Sequence, residues 1–238
     1  MGPLEFAAAT AAVAIGSIVQ AVSGVGAGFL MVPMLAFIDL RLVPGPMIFA
    51  SLSLSGIMAF RERGAIDTAN LSIILLGLVP GCLLGGFILS VIPPERLGIA
   101  FGSVLLFAIA MTAMGLRLPF NRITAVSAAA MSGAMGASTG IGAPALALLY
   151  QDQAGPQIRS TLALLYTIAS ALIIMVLALF GRFGAEEAWN GLLLMPGFMM
   201  GYLAANRLRL PVDRDRSRIA VLVVSAVAAL VLLLKSLN

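Results

Sequence analysis

Two short glycine segments, Ser23-Gly24-Val25-Gly26-Ala27-Gly28 and Thr139-Gly140-Ile141-Gly142-Ala143-Pro144, lie 116 residues apart in a chain of 238. The chemistry open to them is anion binding by the main chain. Glycine tolerates positive φ and a close approach of other groups to its backbone. A helix that resumes after such a break presents unpaired N–H groups and a partial positive charge. Pro144 suits the first turn of that helix, where its missing N–H costs nothing. Two such helix starts facing one another would hold a small anion between backbone dipoles. The candidate substrate-binding set is therefore Gly24, Gly26, Gly28, Gly140, Gly142 and Pro144, with Gln20, Ser23, Ser138 and Thr139 flanking the breaks. Ser51, which matches Thr167 at the same offset, is a second choice. Arg159, at the edge of the second segment, could draw an anion in or serve only to set topology.

The competing reading is that such glycines only let helices pack closely. It is preferred for Gly77, Gly81, Gly85, Gly197 and Gly201, spaced by four within continuous apolar stretches. As a dinucleotide fingerprint the first segment fails, because no strand–turn–helix context surrounds it. Pro80 and Pro196, also matched at the 116-residue offset, should kink their helices as a hinge or as a fixed bend.

What the chain lacks narrows the function. No Asp, Glu, His, Lys or Arg falls inside a long apolar run, so no intramembrane proton relay is apparent. A serine there has no base to activate it, so the chain is not expected to be an enzyme. One cysteine, Cys82, and no histidine leave no disulfide and no Cys/His metal site, and no cofactor is expected.

The elements that must position the segments follow from hydropathy. The chain is 61% hydrophobic and 10% charged, with a mean hydropathy of +1.09, far outside soluble domains. Charge-free runs cover Phe6–Ile38, Leu42–Phe60, Thr68–Pro94, Leu97–Leu116, Ile123–Gln151, Ser160–Gly181, Ala188–Asn206 and Ile219–Leu234. About 20 apolar residues cross a bilayer, so the fold class is an all-α polytopic membrane protein of about 8–10 helices. Phe6–Ile38 and Ile123–Gln151 would be about 50 and 44 Å long as straight helices, too long for a core of about 30 Å. Both carry a glycine segment. Each should break there, as a hairpin or as a full span followed by a shorter one.

Matched segments at one offset divide the chain into a first membrane repeat, 1–118, and a second, 119–238. With an odd number of crossings per half the repeats are inverted. Arg61, Arg63, Arg117, Arg122, Arg159, Arg207, Arg209, Arg214, Arg216 and Arg218 then share one side; Arg41, Arg96, Arg182 and Lys235 share the other. The positive-inside rule makes the first side cytoplasmic and puts both termini outside the cytoplasm. A cleaved signal peptide is not expected, since Glu5 and no basic residue precede the first apolar run. The five arginines of Arg207–Arg218 suit anionic lipid headgroups. The partners expected are a small anion and the bilayer, with no nucleic acid; a homo-oligomer is compatible with the sequence.

Gly16, Ser23-Gly-Val-Gly-Ala-Gly28 and Pro33 together resemble the first motif of the TauE/SafE family of sulfite exporters. Gly140-Ile-Gly-Ala-Pro144, Tyr150 and Arg159-Ser-Thr resemble its second, and Gly64-Ala-Ile-Asp67 is also similar to the family. The resemblance implies an inner-membrane transporter in two related halves, for sulfite, a sulfonate or a related organic anion. This chain departs from the family pattern at Ala143, where a glycine is usual, and in the first motif, where consecutive glycines are common. The alternative is a non-transporting membrane subunit that binds a ligand or scaffolds a complex.

Overall fold

The computed structural model of the chain describes residues 2–23, 27–61, 63–66, 68–115, 118–150, 155–208 and 214–237. Ten α-helices carry the described fold: α1 (Pro3–Ser23), α2 (Ala27–Ile38), α3 (Gly45–Arg61), α4 (Leu71–Val91), α5 (Leu97–Ala113), α6 (Arg122–Thr139), α7 (Ala143–Tyr150), α8 (Gly155–Leu179), α9 (Ala185–Leu208) and α10 (Arg214–Leu237). Five helical segments among the described residues are long and apolar enough to cross a membrane: Pro3–Ala21, Leu71–Val91, Pro94–Ala113, Ser160–Leu179 and Ile219–Ser236. Their outer faces are apolar, as Leu76, Leu84, Phe87 and Val91 on α4 illustrate, which suits a lipid solvent.

Both overlong runs resolve into a long helix and a short one. α1 has 21 residues and α2 only 12; α6 has 18 and α7 only 8. The second break has a clear local cause. Gly140 takes φ 82°, a conformation that glycine alone adopts without penalty, and caps α6 through its N–H to the Gly136 carbonyl. α4 and α9 run on as helices through Pro80 and Pro196.

Glycines set the main seams. On α4, a Cβ at Gly77, Gly81 or Gly85 would overlap the carbonyl oxygens of Val126, Ala130 and Ala134 on α6. On α9, a Cβ at Gly197 or Gly201 would overlap Thr10, Val13 and the Ala14 carbonyl on α1. Without a hydrophobic force between helices in lipid, such backbone proximity is what holds them together. The close-packing reading of these glycines is therefore the one the geometry supports.

The order of these contacts gives the helix directions. α4 runs parallel to α6, and α9 parallel to α1. α3 runs parallel to α9, since Gly45 lies by Glu187 at one end and Arg61 reaches the Tyr202 hydroxyl at the other. α4 runs parallel to α8: Gly86 meets Val176 and Phe180, and Arg182 donates to the carbonyls of Ser90 and Ile92. The short connection from α8 to α9 reverses the chain. Consequently α1 opposes α6, α3 opposes α8 and α4 opposes α9. α5 and α10 oppose one another directly, with Gly98 against Ser236 and Gly102 against Leu233 and Ala229. Every one of these pairs is related by roughly the 116-residue offset.

The two equivalent seams are one helical turn out of register. Gly81 faces Ala130, whereas Gly197, its counterpart at the offset, faces Thr10, the counterpart of Val126. One turn is about 5.4 Å. Ser17, beside Gly201 on the second seam, is fully buried, and its hydroxyl has no hydrogen-bond partner among the described residues.

One end of the bundle gathers charge. Asp39 accepts from the Arg41 backbone N–H and side chain, and Arg41 lies 3.9 Å from Glu186. Burial pushes the Asp39 carboxyl up, but the hydrogen bonds and charge of Arg41 together outweigh it and hold the carboxyl below its ordinary value.

Candidate functional site

The first turn of α2 meets the second glycine break inside the bundle. A Cβ on Gly28 would lie 3.2 Å from the Gly140 carbonyl oxygen and 3.7 Å from Ile141 Cα. A side chain at Gly28 would require its neighbours to give by a few tenths of an ångström. Around it lies a cavity of about 90 Å³, bounded by the second break and by α1, α2, α3, α6 and α8. Pockets that hold drug-sized ligands run to roughly 300–1,000 Å³, so this cavity suits an occupant of only a few heavy atoms.

Of the residues singled out in the sequence, Gln20, Gly28, Ser51, Gly140, Gly142 and Pro144 all line this cavity. The starts of α2 and α7 contribute Gly28 and Ala143 to the wall, so two helix N-termini border one space. Ser138 and Thr139 are buried but are not among its lining residues; their hydroxyls donate to the carbonyls of Ala134 and Met135 on their own helix. Gly24 and Gly26 lie outside the described residues, as do the side chains of Ser23 and Arg159 and the arginine-rich loop around Pro211. Arg159 belongs to α8, three turns before Ser170 and about 16 Å from it along the helix axis.

Ser55, Ser132, Tyr166 and Ser170 also line the cavity, although nothing in the spacing of the glycine segments points to them. Ser55 could have been found from Ser51, because residues four apart share a helix face. Ser132 needs the fold: its hydroxyl donates across the break to the Gly142 carbonyl at 2.7 Å. Tyr166, from α8, donates to the Ala143 carbonyl at 3.4 Å. These two bonds tie the start of α7 to α6 and to α8 across the break.

Ser132→Ala is expected to loosen the second break without unfolding the bundle. One neutral hydrogen bond is worth about 1 kcal/mol net, more when a buried acceptor is left unpaired. The midpoint of thermal unfolding in detergent should fall by a few degrees, to be read by the loss of monodisperse protein on heating. An unchanged midpoint would mean that the Gly142 carbonyl finds another donor.

The walls are otherwise apolar, formed by Phe29, Met31, Met47, Ile48, Ile141 and Ile173, and none of the described residues that line them is charged. Among the described residues, no cluster of three or more His, Cys, Asp or Glu could hold a metal ion. The family model for Sulfite exporter TauE/SafE matches residues 8–232. No curated protein and no solved structure matches the chain.

Proposed function

The chain belongs to the sulfite exporter TauE/SafE family, a family of membrane transporters, and from that premise we propose that it is a permease for a small anion such as sulfite, a sulfonate or a related organic anion. The observation that carries this reading is the juxtaposition of the start of α2 with the second glycine break around one small cavity, with Gly28 from one half against Gly140 from the other. The chain works as two inverted repeats, 1–118 and 119–238, that rock about this cavity. Neither repeat acts as an enzyme and no cofactor takes part.

The unequal register of the two seams supports alternating access. In a carrier built from two inverted copies, each open state places the copies in different conformations, and the opposite state exchanges them. A one-turn slip of packed helices is a known kind of two-state step. Here the α4–α6 seam and the α1–α9 seam differ by one such turn. Ser17, buried without a partner on the second seam, gives that arrangement a cost that a slip could relieve.

The distribution of arginine and lysine favours both termini outside the cytoplasm of an inner membrane, with Arg61 at the cytoplasmic end and Arg41 and Arg182 at the other. The test is counterflow in proteoliposomes with labelled sulfite, competed by small sulfonates, thiosulfate and carboxylates. Saturable exchange is expected, and its best competitor names the substrate class. Absence of exchange with every anion, from protein shown to be folded, would favour a non-transporting membrane subunit that binds a ligand.

A further inference from the structure

Six polar side chains line the cavity, and four of them have already spent their protons. Ser51 donates to the Ile48 carbonyl at 2.9 Å and Ser55 to the Ser51 carbonyl at 3.1 Å. Ser132 and Tyr166 donate to the carbonyls of Gly142 and Ala143. A carbonyl can only accept, so each of these hydroxyls must be the donor, and it turns lone pairs rather than a proton toward the space. Two groups remain. The Gln20 carboxamide and the Ser170 hydroxyl line the cavity with no hydrogen-bond partner among the described residues. They are only 9% and 8% exposed. Among the described residues the fully enclosed hydroxyls without a partner are those of Ser17 and Ser225, whereas the polar atoms of Gln20 and Ser170 face the cavity space.

Gln20 comes from α1 and Ser170 from α8, one from each half of the chain. Both can donate to an oxyanion, as can the free N–H groups at the starts of α2 and α7. None of these groups carries a formal charge. The cost of taking an ion out of water rises with the square of its charge, so a dianion faces about four times the penalty of a monoanion. A wall of neutral dipoles, flanked by Met31, Met47 and Ile173, can offset the smaller penalty far better than the larger. The lone pairs of Ser51 and Ser55 further disfavour a second negative charge.

Building on the permease reading, we infer that Gln20 and Ser170 are the substrate-recognising side chains of a site selective for singly charged oxyanions with a small apolar substituent or a proton, such as methanesulfonate or bisulfite, over sulfate, thiosulfate and fully ionised sulfite. The apolar wall takes the substituent. Gln20 and Ser170, one from each half, close on the oxyanion from opposite repeats.

The test is equilibrium binding to the full chain in nanodiscs, with methanesulfonate, sulfate, thiosulfate and neutral dimethyl sulfone as probes. Methanesulfonate should bind at least about tenfold more tightly than either dianion or the sulfone. Sulfite should bind better in mild acid, where it carries one charge, than in mild alkali, where it carries two. Gln20→Ala and Ser170→Ala should each weaken methanesulfonate binding by about tenfold, the loss typical of a hydrogen bond to a charged group. Ser170→Thr, which keeps the hydroxyl, should retain most of the affinity. Sulfate or the sulfone binding as well as methanesulfonate overturns the inference, as does a full complement of affinity in both alanine variants. No binding of any probe by folded protein also overturns it. Selective methanesulfonate binding without counterflow would instead refute the permease reading and leave the site assignment standing.

Discussion

Gly81→Leu is expected to leave no folded protein in the membrane, the largest effect of any single substitution at the helix seams. The glycine sits in the middle of α4, and its missing side chain is where the Ala130 carbonyl of α6 lies. That obstacle is backbone, held in turn by the helix around it, and it cannot rotate aside as a side chain could. Gly77 and Gly85 lie against Val126 and Ala134 in the same way, so the two helices would have to separate along their whole length. Overpacking a core costs about 1–3 kcal/mol where side chains give way, and the cost here should exceed that range in a fold whose total stability is of order 5–15 kcal/mol. Gly56→Ala on α3 is the control, since a Cβ there meets nothing within 4 Å. It should be neutral or stabilising by up to about 1 kcal/mol, from the higher helix propensity of alanine. Yield and monodispersity after mild detergent extraction separate the two outcomes. Wild-type behaviour from Gly81→Leu would show that α4 and α6 do not pack as described.

Gly28→Leu should abolish transport while leaving the protein folded. Its Cβ would stand 3.2 Å from the Gly140 carbonyl, tight enough that neighbours must shift by a few tenths of an ångström. The rest of the isobutyl group has the cavity to enter, and a space of about 90 Å³ has little left once a leucine side chain occupies it. The cost falls on the site and not on a seam. Counterflow should drop by about 100-fold or more, the equivalent of some 2.7 kcal/mol, with expression and elution profile close to wild type. Gly28→Ala, with one methyl group, should retain partial flux. Full activity in the leucine variant would remove the glycine breaks from the transport site.

Much of the fold was legible because bilayer physics leaves few choices. Apolar runs longer than a membrane is thick must break, and glycine at their centres marks where. α1 with α2, and α6 with α7, realise that expectation as long-plus-short pairs, an outcome the hydropathy left open beside a hairpin. The site was legible only in part. Gln20, Gly28, Ser51, Gly140, Gly142 and Pro144 were named from the matched segments and line one cavity. Ser138 and Thr139 have an equal claim from the sequence, lying within two residues of Gly140, yet both bond back to their own helix. Adjacency in sequence does not say which way a helical side chain faces when the helix ends one residue later.

By itself the sequence determined an all-α membrane protein, the two overlong apolar runs that divide into a long and a short helix, and the family to which it belongs. Composition and periodicity carry those properties because each depends only on segment length, polarity and backbone freedom. Tertiary structure alone decided that Gly28 and Gly140 touch, that Gly81 faces a carbonyl while Gly56 faces nothing, and that the equivalent seams differ by a turn. It also decided that Ser170, one unremarkable serine on a long apolar helix, is left with Gln20 as a free donor in the cavity. Those facts depend on which atoms meet across the two halves, and helices far apart in the chain settle them only by packing.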